Sequence, residues 1–462
     1  MQKEGHKLPQ SIQLGWAVGE LGIATYVGIT MIYMLFFLTQ ALNISPMWAG
    51  IALLIPRLWD VITDPIMGAI SDRTKTRMGR RRPYLFIGGL TFGASFILIF
   101  FAPAHEPEWV KILYVTFMYI VASTAYTIYD VPYSAMVPEM TSDYKERTTL
   151  TGYKMMAARL GIVMCVTIAP WLFNSRATLA EGFRFMGIAF GIFMIITGLY
   201  AFFATKKAPR IEVPAHKFSL KSEFNAIRYN RPFRILWTVF LFQNLAIGAA
   251  STTLIYFLIF VIKVDKSILG PMLAVGAVTA TIVTPFWIWV ARRIGKREAY
   301  YLGLAITAVM SLPALFIPAG FVVTLFIVLM LGGIGDACNQ LASNSMVPDT
   351  VEFDELRTGE RREGAIFGAW AFCRKLGMAA GAFFVSIGLS LFGFESGNGS
   401  SIVQDETAIL GIRLTYSLIP FALWIAAILM LKKYKLNERM FNEIKAEIRS
   451  KAAGRILTSC RR

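Results

Sequence analysis

Long apolar blocks separated by short polar connections run through the whole chain. Each block is near the length of about 20 apolar residues that a membrane-spanning helix needs. The twelve blocks lie at about 13–41, 47–71, 84–103, 110–138, 148–173, 182–205, 232–261, 268–291, 298–317, 320–347, 365–392 and 408–431. The pattern predicts an all-α membrane protein with twelve transmembrane helices.

Composition excludes a soluble protein. Hydrophobic residues make up 56% of the 462 residues and charged residues only 16%, whereas soluble domains contain about 45–50% and about 25%. The net charge of +17 would suggest a nucleic-acid partner in a soluble chain. Here the distribution of the basic residues excludes nucleic acid and points to the lipid bilayer.

Most of the basic residues lie on one side of the predicted helices. Of 46 Lys and Arg residues, 35 fall in the two termini and the even-numbered connections, and only six fall in the odd-numbered connections. By the positive-inside rule, both termini are therefore cytoplasmic and the number of spans is even.

The longest polar connection divides the chain into two halves of six spans. We expect an N-terminal six-helix bundle at 1–205, a cytoplasmic linker at 206–231, a C-terminal six-helix bundle at 232–432 and a basic tail at 433–462. The turn RMGRRRPY (77–84) is echoed by RIGKREAY (293–300), which favours an internal duplication, although the positive-inside rule alone could produce two such turns. The tail is either solvated or an interfacial helix with Leu436, Met440 and Ile444 on one face.

Ten charged residues lie deep inside the predicted spans. A charge in hydrocarbon is costly, so such residues face the interior of a bundle and usually mark a pathway. Purely structural ion pairs are the alternative. The acidic members are Glu20, Asp60, Asp64, Asp130 and Asp336, and the basic members are Arg57, Lys154, Arg159, Arg374 and Lys375.

Span 2 carries a candidate cation site. Asp60, Thr63 and Asp64 follow an i, i+3, i+4 spacing that places them on one helical face. Two carboxylates and a hydroxyl are hard ligands that suit Na⁺ or a proton, so Asp60 and Asp64 are the candidate metal ligands if the ion is Na⁺. Arg57, one turn earlier, could instead neutralise Asp60.

Spans 1 and 4 carry candidate sugar ligands. Tyr126, Asp130 and Tyr133 share one face of span 4, and Trp16 and Glu20 are one turn apart in span 1. A carboxylate accepts hydrogen bonds from sugar hydroxyls, and an aromatic ring covers the apolar face of a pyranose. The aromatic residues could equally belong to the core of the bundle.

Spans 5 and 11 supply the basic residues of the centre. Lys154 and Arg159 of span 5, with Arg374 and Lys375 of span 11, are expected to pair with the acids or to attract an anionic group on the substrate. The sequence offers no paired nucleophile and base, no metal triad and no nucleotide loop, so we expect a protein that is not an enzyme. No cofactor is expected beyond a co-transported Na⁺ or H⁺.

Three blocks resemble the glycoside–pentoside–hexuronide:cation symporter family of the major facilitator superfamily, of which melibiose permease is a familiar member. The blocks are RLWDVITDPIMGAISDRTKTRMGRRRP (57–83), YTIYDVPYSAMVPEMTSDYKERTTLTGYKMMAARLG (126–161) and VPDTVEFDELRTGERREGAIFGAWAFCRKLG (347–377). The resemblance implies the major facilitator fold and secondary active transport, in which uptake of a sugar or glycoside is coupled to a cation by alternating access.

The resemblance also assigns roles to residues. It implies a cation site at Asp60, Thr63, Asp64 and Thr127, and a sugar site at Glu20, Tyr126, Asp130, Lys154 and Lys375.

Four positions differ from melibiose permease. Thr63 stands in place of Asn, Glu20 in place of Asp, Lys154 in place of Arg, and Ser134 in place of Trp. Arg159 and Arg374 are additional basic residues, which favours an acidic, hexuronide-like sugar. The sequence leaves open the sugar and the choice among Na⁺, Li⁺ and H⁺.

The block after span 2 resembles the cytoplasmic signature of the wider superfamily. It implies gating ion pairs of Asp72 with Arg73 and Arg80. The acidic and basic run at 349–363 implies a matching set in the second half, with Asp349, Glu352 and Arg361 as its candidates. Such pairs would break and re-form as the two bundles rock.

The sequence therefore predicts a monomeric multi-pass cation–sugar symporter of the bacterial inner membrane. A cation-coupled lysophospholipid transporter is the alternative transport function, and a non-transport membrane receptor is the alternative from another class.

Overall fold

The computed structural model is built almost entirely of helices. It describes residues 8–141, 143–209, 230–358, 362–397, 403–436, 440, 441, 443, 444 and 447. Twelve long helices lie within this part of the chain. They are α1 (Gln10–Ile32), α2 (Pro46–Arg73), α3 (Arg82–Ile99), α4 (Glu108–Ser134), α5 (Tyr144–Phe173), α6 (Leu179–Ala204), α7 (Arg231–Tyr256), α8 (Leu269–Ile294), α9 (Lys296–Ser311), α10 (Val322–Thr358), α11 (Glu363–Leu391) and α12 (Glu406–Leu431).

Short helical segments extend or join the long helices. Phe37–Ala41 and Phe257–Ile262 are π-helical continuations beyond the ends of α1 and α7. A four-residue helix, Val137–Met140, follows α4. The predicted spans match the long helices in order. The largest difference is at α10, which continues eleven residues past the predicted end of its span, at 347, to Thr358.

Eleven of the twelve long helices are long and apolar enough to cross a membrane, counted over the described residues. The helix outside this set is α2, which carries Arg57, Asp60 and Asp64 in its middle. The prediction of an all-helical membrane protein is confirmed, and the one predicted span outside this set is the second, whose helix holds the candidate cation ligands.

Helices pack mainly with others of the same half of the chain. In the first half, α1 to α6, α1 contacts α5 and α6, α3 contacts α4 and α6, and α2 contacts α4. In the second half, α7 to α12, α7 contacts α11 and α12, α9 contacts α10 and α12, and α8 contacts α10. The main contacts between halves are α2 with α11 and α5 with α8.

The two halves meet near one end of the bundle, where α1 ends and α2 begins; we call this the α1–α2 end. The Thr39 and Tyr256 hydroxyls are hydrogen-bonded there at 2.7 Å. The Ser396 hydroxyl donates to the carbonyl of Ile44 at 2.7 Å. At Gly50, a Cβ atom would lie 1.8 Å from the Ser386 Oγ of α11, so only glycine permits this approach of α2 to α11.

Two predicted segments fall largely outside the described residues. Only 206–209 and 230–231 of the predicted linker are described, and only 433–436 with five later residues of the predicted tail. Among the residues predicted to share a face of the tail, Leu436 and Ile444 are buried and Met440 is 39% exposed.

Replacing Gly50 with valine should open the α1–α2 end, because the new side chain would overlap Ser386. Spin labels at Met47 and Leu391, both well exposed, in a background without the native cysteines, would report the separation of α2 and α11. We expect a larger long-distance population in the Gly50→Val variant. Gly332→Val is the matched control, since nothing lies within 4 Å of its added Cβ; equal distance distributions in both variants would contradict the contact.

Candidate functional site

Asp60 is fully buried in the middle of α2 and has two partners. The Ser123 hydroxyl of α4 donates to its Oδ1 atom, and the Arg57 guanidinium lies 3.7 Å from its Oδ2 atom. Arg57 also donates to the Thr30 hydroxyl of α1 at 2.9 Å. Within the described residues, Asp60 Oδ2 accepts no hydrogen bond. This carboxylate is therefore neutralised from its own helix while one of its oxygens stays available.

Asp64, one turn further along α2, is bound from both halves. The Thr127 hydroxyl of α4 donates to Asp64 Oδ1 at 2.7 Å. The Lys375 ammonium of α11 forms an ion pair with Asp64 Oδ2. The hydroxyl of Thr63, on the same helix, donates to the carbonyl of Trp59 at 3.2 Å. The four residues of the candidate cation site thus lie on adjoining turns of α2 and α4. The ammonium group of Lys375, from the second half, already contacts Asp64.

A second polar cluster joins α1, α4 and α5. The Lys154 ammonium lies 3.6 Å from Glu20 Oε2 and donates to the Ser134 hydroxyl at 2.8 Å. Ser134 in turn donates to Asp130 at 3.3 Å. Three of the predicted sugar ligands are therefore linked: Lys154 contacts Glu20 directly and reaches Asp130 through Ser134.

The predicted aromatic ligands occupy two different environments. Trp16 and Tyr133 have no exposed area, stack with ring centroids 4.7 Å apart, and are linked by a hydrogen bond from the Tyr133 hydroxyl to the carbonyl of Trp16. They lie in the core of the first half. The Lys154 ammonium lies over the Tyr133 ring, 5.3 Å from the ring centroid. Tyr126 is also buried, but it lines the cavity between the halves.

Arg374 and Arg159 have different surroundings. Arg374 of α11 is exposed and lines the same cavity, where its charge acts on Glu20 and Tyr126. Arg159 of α5 interacts electrostatically with Asp336 of α10. Arg159 therefore belongs to the contact between halves rather than to the central cavity.

The cavity between the halves has a volume of about 60 Å³. Its walls come from α1, α2, α4, α7 and α11. Its polar lining consists of Thr30, Arg57, Tyr119, Tyr126, Thr252, Arg374 and Lys375. The contacts between the halves at the α1–α2 end close the bundle on that side of the cavity.

The predicted gating charges of the first half have other partners than expected. Asp72 pairs with Arg81, and Arg80 pairs with Glu139 at 2.8 Å, a residue that Arg81 also contacts. Arg73 is exposed. Arg73 is adjacent to Asp72, so its side chain points about 100° away from that of Asp72 around the helix. Arg81 reaches Asp72 because the turn between α2 and α3 folds back toward the end of α2.

The predicted gating charges of the second half are arranged similarly. Asp349 pairs with Lys296 at 2.8 Å. Glu352 Oε2 is buried without a hydrogen bond to any described residue. A further pair, Arg362 with Asp354, measures 2.7 Å, and Arg361 lies outside the described residues. Each of these ion pairs, in the first half and in the second, joins two elements of the same half.

Sequence reasoning missed Ser123, Arg81 and Glu139. A usable signal existed for Ser123, because Ser123, Thr127 and Asp130 follow an i, i+4, i+7 spacing on α4. Small hydroxyl residues in membrane helices usually bond to their own backbone, so spacing alone does not select this one. The partners of Arg81 depend on how the α2–α3 turn folds back.

Replacing Ser123 with alanine removes the donor to a buried carboxylate. We expect a loss of about 1–3 kcal/mol in the free energy of unfolding, measured by denaturant titration in detergent, and recovery in Ser123→Thr. Thr116→Val on the same helix is the control, because the Thr116 hydroxyl has no hydrogen-bond partner among the described residues. Equal losses in Ser123→Ala and Thr116→Val would contradict the role of Ser123.

Comparison with known proteins agrees with this architecture. The putative sulfoquinovose importer of Salmonella typhimurium is 28% identical, with 98% of this chain and 96% of the importer covered. The putative glycoside/cation symporter YagG of Escherichia coli is 25% identical, with 96% and 95% covered.

Solved structures show the same fold. A bacterial homologue of the iron transporter ferroportin in its inward-facing state has a TM-score of 0.65 at 14% identity, with 92% of this chain and 97% of that chain covered. Its outward-facing state has a TM-score of 0.58 at 16% identity, with 92% and 98% covered.

A family model described as MFS/sugar transport protein matches residues 15–438. The family resemblance expected from the sequence is confirmed, and the protein is a transporter rather than an enzyme. The chain belongs to the MFS/sugar transport protein family.

Proposed function

We propose that this protein is a symporter that couples the inward flow of a monovalent cation to uptake of a sugar or glycoside across the bacterial inner membrane. The observation that carries the proposal is the ion pair between Asp64 of the first half and Lys375 of the second. Two relatives, a putative glycoside/cation symporter and a putative sulfoquinovose importer, support a cation and a sugar as the two substrates.

The cation site is formed by oxygens of α2 and α4. Asp60 and Asp64 supply the charge, and the hydroxyl oxygens of Ser123, Thr63 and Thr127 are the neutral ligands closest at hand. Hard oxygen ligands suit Na⁺, Li⁺ or a proton. The cation enters by replacing the Lys375 ammonium at Asp64, because both compete for the same carboxylate oxygen.

Competition at Asp64 explains coupling. When Lys375 is displaced, its charge must be compensated elsewhere before the halves can close, since an unpaired ammonium in an apolar bundle is costly. A substrate with hydrogen-bond acceptors or a negative charge provides that compensation. The loaded carrier therefore closes at low cost with both ligands present, and the empty carrier closes with Lys375 back on Asp64.

The sugar site lies between Glu20, Asp130 and Lys154 on one side and α11 on the other. The acids accept from vicinal hydroxyls, while Lys154 donates to a sugar oxygen. Arg374 faces the same space from the second half, and within the described residues it forms no ion pair. An acidic sugar, hexuronide-like or sulfonated, would supply the anion that a guanidinium binds best.

The closed α1–α2 end corresponds to an inward-facing state if both termini are cytoplasmic, as the distribution of basic residues predicts. We propose twelve transmembrane helices arranged as two six-helix bundles that rock about the central charges, and a monomer as the transporting unit.

Asp64→Asn should uncouple transport. The amide keeps the shape of the side chain but attracts neither the cation nor Lys375. In proteoliposomes we expect loss of Na⁺- or H⁺-driven accumulation of labelled p-nitrophenyl glucuronide, with sugar counterflow retained. Asp405→Asn, at an exposed acid before α12, is the control and should accumulate normally. Undiminished gradient-driven accumulation in both Asp64→Asn and Asp60→Asn would show that the cation site is elsewhere.

Arg374→Gln should discriminate between acidic and neutral sugars. Loss of a charge-assisted hydrogen bond of about 1.5–3 kcal/mol corresponds to a roughly 10- to 100-fold weaker uptake of p-nitrophenyl glucuronide. Uptake of p-nitrophenyl glucoside, which differs only by the carboxylate, should change little, and Arg374→Lys should recover part of the difference. Equal effects on the two glycosides would contradict an anion-binding role.

A further inference from the structure

The turn between α8 and α9 repeats part of the sequence of the turn between α2 and α3. The sequences RMGRRR (77–82) and RIGKRE (293–298) align Gly79 with Gly295. Both glycines are in the left-handed region, with φ of 95° and 94°. The residue after each glycine binds an acid of the same V-P-[ED] motif: Arg80 binds Glu139 and Lys296 binds Asp349, each at 2.8 Å.

The two turns differ in the partner of the next basic residue, Arg81 in the first half and Arg297 in the second. In the first half, Arg81 is bound by Asp72, which lies seven residues before Gly79. Ile288 stands at the same sequence distance before Gly295, so the second half has no acid at that position for Arg297. Arg297 contacts the ring of Tyr301 at 5.5 Å, and its Nε atom is buried without a hydrogen bond to any described residue. The second half keeps the arginine and lacks the acid.

A cavity of about 620 Å³ lies beside Ile288 and Arg297. Basic residues outnumber acidic residues in its lining. The two acids are Asp349, which is already paired with Lys296, and Glu298. The cavity is closed on one side by Leu436 and Phe441 of the segment after α12. Its basic lining consists of Arg292, Arg293, Lys296 and Arg297.

The neighbouring side chains of α8 indicate the depth of this cavity in the membrane. Phe286 and Trp289 are each 53% exposed on the outside of the bundle, and Ile294 is 43% exposed. The Arg293 guanidinium lies 4.5 Å from the Trp289 ring. Exposed aromatic residues next to basic residues are typical of the interface between headgroups and hydrocarbon. The cavity is therefore at headgroup level.

We propose that this cavity binds the headgroup of an anionic phospholipid, whose phosphate replaces the carboxylate that the second half lacks. The guanidinium of Arg297 donates to the phosphate, and Arg292 and Arg293 lie at the cavity rim on the side of the bilayer. The cavity is much larger than an inorganic phosphate needs, and Ile288, Ile294 and Leu436 give it apolar walls. A lipid fills both the charged and the apolar part, which a soluble anion does not.

Native mass spectrometry of delipidated protein tests the proposal, with phosphatidylglycerol, phosphatidylcholine and sn-glycerol 3-phosphate as probes. We expect wild-type protein to prefer phosphatidylglycerol over phosphatidylcholine. Arg297→Gln should weaken phosphatidylglycerol binding about fivefold, the effect of one basic residue at an anionic surface. Lys75→Gln, at an exposed lysine of the first-half turn, removes an equal charge and should change the affinity little.

A second variant tests the missing carboxylate directly. Ile288→Asp restores the acid of the first-half turn, so Arg297 should pair internally and phosphatidylglycerol binding should fall as it does in Arg297→Gln, although every basic residue is kept. Ile288→Asn introduces the same shape without the charge and should retain most of the binding. Each variant must elute as a monodisperse species.

Three results would overturn the proposal. Equal binding of phosphatidylglycerol and phosphatidylcholine by wild-type protein would exclude a preference for anionic lipid. Equal losses in Lys75→Gln and Arg297→Gln would mean that only overall charge matters. Binding of sn-glycerol 3-phosphate as tight as that of phosphatidylglycerol would make this a site for a soluble anion instead.

Discussion

An ammonium and a carboxylate from opposite halves of the chain meet in the middle of an apolar bundle, and the rest of the site depends on that contact. Lys375 and Asp64 can be desolvated together, but each alone is costly in hydrocarbon. The nearby charges follow the same constraint: Arg57 stays close to Asp60, and Lys154 stays close to Glu20. Movement of the halves must therefore preserve charge pairing at every step.

The two halves contribute unequally to the centre. The first half supplies Asp60 and Asp64, and the residues at the same distance before the glycine of the second repeat are Gly276 and Ala280. The second half supplies Arg374 and Lys375 instead. The two halves therefore carry opposite charges where Asp64 meets Lys375. The site is complete only when both halves are close, which links ligand occupancy to the position of the helices.

Local sequence pattern predicted the helices and the residues that share a face, because hydropathy and the 3.6-residue period are properties of one segment. It placed Asp60 beside Asp64 and brought α4 to the same site. It did not separate Trp16 and Tyr133, which pack in the core, from Tyr126, which lines the cavity, since both positions demand an aromatic ring. It also did not find Ser123 or Arg81, whose partners depend on the packing of α2 against α4 and on the path of a turn.

Helix α10 has mechanical consequences because of its length. Its 37 residues span about 55 Å at 1.5 Å per residue, well beyond the roughly 30 Å of hydrocarbon. A tilt of about 10° pivoting near the central charges would displace its far end by roughly 5 Å. Asp354 near that end pairs with Arg362 at the start of α11, so such a tilt of α10 would be passed directly to the start of α11, the helix that carries Lys375.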